Sequence, residues 1–261
     1  MDIAPIVGIA VALGAMLISE LMEGAHLAAL INVSAFLLIA LGTMGATIAC
    51  YSLGQLKEFI SGLGVLFHKP EFTPGDIVDL FVQLADAARK EGILVLEGYI
   101  PKMKHPTLRR GLQLIVDGTA PELVKDMLTT EAILAEEKLK ANAGVFQTAG
   151  GFAPTLGIIG TVMGLVKVLG NLENASELGP AIAVAFLATF YGIASANILL
   201  LPLGKKIAFV AKEEMMLKTM IIEGILSMYA GDNPTVVKEK LLSYLDEKLW
   251  HIYKAKKAPA K

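Results

Sequence analysis

The sequence predicts an all-α membrane protein: four transmembrane helices in two hairpins, with a helical cytoplasmic domain inserted between the second and third spans. Three observations carry that prediction. The 261 residues are 54% hydrophobic and only 18% charged, with a mean hydropathy of +0.60, whereas soluble domains sit nearer 25% charged. Four apolar stretches, residues 3–19, 27–53, 151–169 and 180–203, approach or exceed the length needed to cross a hydrocarbon core of about 30 Å at about 1.5 Å per helical residue. All of the 23 Lys and Arg residues except Lys167 lie in residues 54–150 or after Leu203. By the positive-inside rule those segments, and both termini, are cytoplasmic.

In chain order, residues 3–19 form a slightly short first span that ends in the acidic turn Glu20 to Gly24. The N-terminus lacks the basic start of a signal peptide, so this span is expected to stay in the mature protein. Residues 27–53 form the second span, and residues 55–67 are expected to continue it into the cytosol, with a break at 68–72. Thr73, Pro74 and Asp76 mark a helix start: an N-cap, a proline at the first helical position and an acid in the first turn. The apolar stripe Ile77, Leu80, Phe81, Leu84, Ala85 and Ala88 follows at helical spacing. Arg89-Lys90-Glu91-Gly92 closes that helix, and residues 93–99, carrying Glu97, start another.

Pro106 begins the next helix, and Pro121 starts a long charged one, 122–149, that feeds the third span. After Leu203 the chain is expected to be helical over 205–229, to break at 231–234, and to end in one amphipathic helix, 235–250. The basic tail 254–261 is expected to be disordered. The domain division is thus 1–53, 54–150, 151–203 and 204–261.

The two spans 151–169 and 180–203, joined by an acidic connection, organise the rest. Gly157, Gly160 and Gly164 on one, and Ala181, Ala185, Ala188, Gly192 and Ala196 on the other, form small-residue faces that allow close approach in lipid. Thr161 and Thr189 lie near the middle of their spans, so antiparallel pairing brings both hydroxyls to one depth. Two readings stay open: the hydroxyls help line an ion path, or each bonds the carbonyl one turn back. Lys167, near the outer end of its span, reads as a snorkelling anchor. No Asp or Glu lies inside any of the four apolar stretches. A cation carrier built on them therefore requires a carboxylate from another chain, which points to a partner subunit.

The lone Cys50 excludes an internal disulfide, the four histidines show no ligand spacing, and no nucleotide-binding, metalloprotease or serine-nucleophile motif occurs. Nothing indicates an enzyme, a cofactor, a permanent metal site or a nucleic-acid partner.

The run from Phe152 through Pro154, Gly157, Gly160 and Thr161 to Gly164, the stretch from Gly179 through Thr189 and Tyr191 to Gly192, Pro202, and Ala88-Arg89-Lys90-Glu91-Gly92 with Glu97 resemble the A subunit of the bacterial flagellar stator, the MotA/PomA family of motility and chemotaxis proteins. The likeness covers nearly the whole chain. The related ExbB/TolQ energisers of outer-membrane transport share the ion-channel logic and supply the alternative function, but are not expected to carry the Ala88 to Gly92 segment; a purely structural scaffold is a third reading.

The resemblance implies a multi-pass protein of the bacterial inner membrane, in a ring of five A subunits around two B subunits (MotB/PomB-like). The B subunits supply the ion-binding Asp, and cation flow turns the ring. Arg89, Lys90 and Glu97 match the charges that contact the rotor protein FliG. Pro154 and Pro202 match the two prolines of the channel helices. Thr189 matches a channel-lining threonine, and Thr161, Thr155 and Tyr191 join it along the expected ion path. Thr161 stands where proton-type relatives tend to carry Ala and sodium-type relatives Thr. Sodium is therefore the expected coupling ion, bound transiently near Thr161 and Thr189 beside the partner Asp; otherwise the ion is H+.

Overall fold

In the computed structural model the described residues are 2–24, 27–67, 72–170 and 175–257, with only the backbone described at 175–177, 248 and 255–257. Among them there is no strand. Ten α-helices follow one another: α1 Ala4–Met22, α2 Val33–Cys50, α3 Leu53–Gly62, α4 Pro74–Glu91, α5 Pro106–Val116, α6 Pro121–Leu169, α7 Ala175–Ala194, α8 Leu201–Tyr229, α9 Pro234–Leu242 and α10 Glu247–Lys257. The expected break at 68–72 lies, apart from Phe72, outside the described residues, as do part of the acidic connection, 171–174, and the last residues of the basic tail.

The chain forms two compact units, each assembled from two separate segments: residues 1–69 with 139–210, and residues 70–138 with 211–261. In the first unit large side chains face outward. Val7, Val11, Ile158, Val162 and Val166 are all more than half exposed, and its buried clusters are small, centred on Ile39, Ala153 and Ala196 and on Leu66, Ala143 and Ile207. In water such a surface would drive aggregation; against lipid tails it is the stable arrangement. Four helical segments of this chain are long and apolar enough to cross a membrane.

The second unit is built the opposite way, as a water-soluble domain. Ile77, Phe81 and Leu84 of α4, Leu108 and Leu112 of α5, Leu128 of α6, Met220, Ile221 and Ile225 of α8, and Leu241 of α9 are fully buried in one core. The stripe read on α4 is that core face, with Leu80 and Ala88 at its edge. Its start is closed by a capping box: the Asp76 N–H donates to Thr73 Oγ1 at 3.3 Å and the Thr73 N–H to Asp76 Oδ2 at 3.0 Å. Gly224 lets α8 lie against the Phe81 ring, where a Cβ would come within 2.5 Å of it.

In four places the local structure differs from expectation. The second span does not run on past residue 53: Tyr51 is extended (φ −128, ψ 151) and Ser52 opens α3 with a capping box to Gln55. The reciprocal side-chain bonds satisfy donors that an uninterrupted helix would have satisfied itself, so a new start costs little. Residues 93–102 form short 3-10 turns, Ile93–Gly98 and Ile100–Lys102. Gly92 at φ +86 ends α4, and with Gly98 and Pro101 following there is too little uninterrupted chain to nucleate an α-helix.

The C-terminal helix is two helices, because Asp246 Oδ1 accepts the Leu249 N–H at 2.8 Å and starts α10. The fourth span contains a π-helical segment, Ser195–Leu200, between α7 and α8.

Candidate functional site

The site is formed where α6 and α7 cross antiparallel within the first unit. The small-residue faces meet there. A Cβ on Gly157 would lie 2.9 Å from Thr189 Cα, one on Gly160 2.5 Å from Ala188 Cβ, one on Gly164 2.5 Å from Ala185 Cβ, and one on Gly192 2.4 Å from the Ala153 carbonyl oxygen. Glycine and alanine thus allow backbone to approach backbone, which in lipid is the main source of helix association.

At that approach Thr161 and Thr189, both half-buried, hydrogen-bond to each other through their hydroxyls. Thr161 Oγ1 lies 3.2 Å from the Gly157 carbonyl one turn back and 3.0 Å from the Ala185 carbonyl of the other helix, and Thr189 Oγ1 lies 3.1 Å from the Gly157 carbonyl. The back-bond read from the sequence for Thr161 is present, together with contacts across the helix pair. Two hydroxyls and two carbonyls therefore converge, four oxygens with only two hydroxyl protons among them. Such a set is rich in acceptors, the chemistry with which membrane sites replace an ion's hydration shell. The two carbonyls carry no signal in the sequence, because every residue has one; only the crossing of α6 on α7 selects them.

The other expected path residues lie apart from this cluster. The Thr155 side chain is exposed and donates to the Phe152 carbonyl at 2.8 Å. The Tyr191 hydroxyl donates to the Leu30 carbonyl and accepts the Asn32 N–H at 2.9 Å, so it ties α7 to the chain entering α2. Asn32 in turn caps α2 by accepting the Ala35 N–H at 2.9 Å. Among the described residues no group of three His, Cys, Asp or Glu side chains is placed to hold a metal ion.

The two prolines occupy different settings. Pro154 sits inside the unbroken α6, where Gly192 of α7 comes closest; a Cβ on Gly192 would lie 3.2 Å from Pro154 Cα. Pro202 follows the π segment, in which the Leu201 N–H reaches back five residues to the Ala196 carbonyl. A proline ring crowds the carbonyl four residues back and offers no N–H. The widened turn gives that ring room, and π segments in helices commonly mark functional positions.

In the second unit, Arg89, Lys90 and Glu97 are all exposed. Lys90 pairs with Asp86 at 2.7 Å, and that carboxylate holds the ammonium above its ordinary pKa range. Neither Arg89 nor Glu97 has an ion-pair partner among the described residues. Leu94, between them, is 66% exposed.

Two family profiles match the chain: the MotA/TolQ/ExbB proton channel family over residues 100–220, and the motility protein A N-terminal family over residues 6–92. Motility protein A of Borreliella burgdorferi is 36% identical over 95% of this chain and 95% of its own length. Motility protein A of Bacillus subtilis (strain 168) is likewise 36% identical, over 95% of this chain and 92% of its own. The flagellar MotAB stator complex from Bacillus subtilis contains a chain that superimposes with a TM-score of 0.89 at 35% identity, covering 97% of this chain and 98% of that one. These matches favour the motility relatives over the energiser and scaffold alternatives. A helical, multi-pass membrane chain whose α6 and α7 pack closely, with end-to-end likeness to those relatives, belongs to the motility protein A family within the MotA/TolQ/ExbB proton channels, as a non-enzymatic, ion-conducting subunit of the flagellar motor stator.

Proposed function

We propose that cations pass this subunit at the Thr161 and Thr189 oxygen cluster, and that sodium is the coupling ion. The observation that carries the proposal is the convergence of Thr161 Oγ1, Thr189 Oγ1, Gly157 O and Ala185 O within the apolar stretches 151–169 and 180–203, which contain no carboxylate. Sodium must exchange water for oxygen ligands as it moves, whereas a proton needs only a carboxylate. The missing negative charge comes from the transmembrane Asp of a B subunit, as the MotAB composition of the related complexes suggests. Five copies of this chain surround two such B subunits in the bacterial inner membrane, with the termini and the second unit in the cytoplasm as the distribution of Lys and Arg supports. Arg89, Lys90 and Glu97 then face the rotor protein FliG.

Each monovalent cation gains about 2.3 kcal/mol per 100 mV whichever species crosses, so ligand chemistry decides and energetics does not. The test is motor speed against external sodium at fixed membrane potential, in wild type and in Thr161→Ala. Speed should rise with sodium and saturate, and Thr161→Ala should need at least several-fold more sodium for half-maximal speed. A wild-type speed independent of sodium would make this a proton-driven subunit.

A further inference from the structure

The first unit contains a long apolar groove of about 820 Å³, bounded on one side by Ile9, Leu13 and Met16 of α1, on another by α2 from Phe36 to Ile48, and along its length by the π segment after α7. Its size and lining restrict what can fill it. As a water cavity it would take about 27 molecules at about 30 Å³ each, every one needing two to four polar partners. The lining cannot provide them. The Thr47 hydroxyl is used on the Thr43 carbonyl, Ser195 on the Gly192 carbonyl, and Tyr191 on Leu30 and Asn32. The buried Thr43 hydroxyl has no partner among the described residues, and with the acceptor lone pairs left on Thr47 and Ser195 it offers far too few polar partners for so many waters.

Extended hydrocarbon chains fit an open, apolar groove of this kind, and they are the medium that surrounds a four-span protein. One end of the groove adds a polar group. There α3 contributes Leu56, Phe59 and Ile60 to the lining, and Lys57, next to Leu56 and one turn from Ile60, is exposed without an ion-pair partner among the described residues. A lysine beside the apolar face of an amphipathic helix is placed to lay its stem on hydrocarbon and its ammonium at a phosphate.

We propose that this groove is a phospholipid site: the acyl chains lie between α1, α2 and the π segment, and the headgroup phosphate meets Lys57. The chains then brace the fourth span where Pro202 weakens its hydrogen-bond ladder, so the lipid supports the segment most able to bend. This holds whichever ion passes.

The test uses the full chain, with whatever subunits co-purify, in vesicles of three parts phosphatidylethanolamine to one part phosphatidylglycerol, a fraction of which bears a photoreactive diazirine on one acyl chain. Adducts should fall on residues 36–48 and 194–200 at least five-fold above the outward residues Val7, Val11 and Ile18 of α1. Ala40→Phe, which fills the groove, should reduce those adducts to the α1 level, and Lys57→Ala should lower the phospholipid retained through purification several-fold. Labelling spread evenly over groove and outer face in the wild type overturns the site, whatever the variants do. So does unchanged groove labelling in an Ala40→Phe protein of normal elution volume, or a photo-crosslink from residue 40 to a second protein chain.

Discussion

At the scale of single residues, the closest backbone approach is the most sensitive point. Gly192 lies where a Cβ would come within 2.4 Å of the Ala153 carbonyl oxygen, and backbone cannot rotate away as a side chain can. Gly192→Ala should therefore force α6 and α7 apart, lower stability in detergent by roughly 1–3 kcal/mol, and abolish motility by separating the Thr161 and Thr189 oxygens. Gly14→Ala is the control: it is helical with nothing within 4 Å of a new Cβ, and it should leave both thermal stability and swimming unchanged.

A second residue, Tyr253, reports on the other unit. Its hydroxyl donates to Asp79 Oδ1 at 2.8 Å, and burial together with that carboxylate pushes its pKa up to about 12, from an ordinary value of 10.0. Because the folded state holds this proton more tightly, the stabilisation is complete below pH 10 and is lost as pH rises through about 12. Tyr253→Phe should lower stability near neutral pH by about 1 kcal/mol and flatten the fall between pH 10 and 12. Tryptophan fluorescence of the single Trp250 during denaturant titration at each pH measures both.

At the scale of elements, helix punctuation proved more informative than helix content. Thr73, Pro74 and Asp76 opened α4 as read, because a cap is a local bonding pattern. The capping box from Ser52 to Gln55 is equally visible in sequence, but the surrounding apolar run masks it, and the pattern there reads as a continuation of the second span. The split between α9 and α10 has the same cause, an Asp246 cap inside a helical pattern. The π segment carries the element-scale prediction. If it exists to give the Pro202 ring room, Pro202→Ala should let residues 195–202 revert to regular α-helix and turn the downstream helix by about 100°. Cysteine crosslinking between the fourth span and α2 should then change register. Motor output should fall more than protein level does; output that merely tracks abundance would leave the proline a structural role only.

At the scale of the whole molecule, two solvents act on one chain. The first unit turns large apolar residues outward and packs through Gly and Ala, whereas the second gathers most of its large apolar residues into one core and exposes charge. Arg89 and Glu97 lie outside that core, so reversing both, Arg89→Glu with Glu97→Arg, should leave membrane level and thermal stability within about 0.5 kcal/mol of wild type. Swimming should be strongly impaired, since exposed charges set encounter and register with a partner. Complementary reversals on the rotor protein should restore part of the rotation, and unimpaired swimming would remove both residues from the rotor contact.

Composition and spacing by themselves determined the all-helical class, the four spans, the amphipathic stripe of α4 and the small-residue faces, because lipid and water each impose a simple rule on every residue they touch. The family likeness was legible for the same reason: it rests on residues those faces and caps require. Three things were decided only by the tertiary structure. Two distant segments, 70–138 and 211–261, share one core; Tyr191 ties α7 to the start of α2; and the carbonyls of Gly157 and Ala185 join the two threonine hydroxyls. Each depends on which backbone atoms meet when helices cross. A carbonyl or a hydroxyl acquires its role from a neighbour far away in sequence, and no local pattern encodes that neighbour.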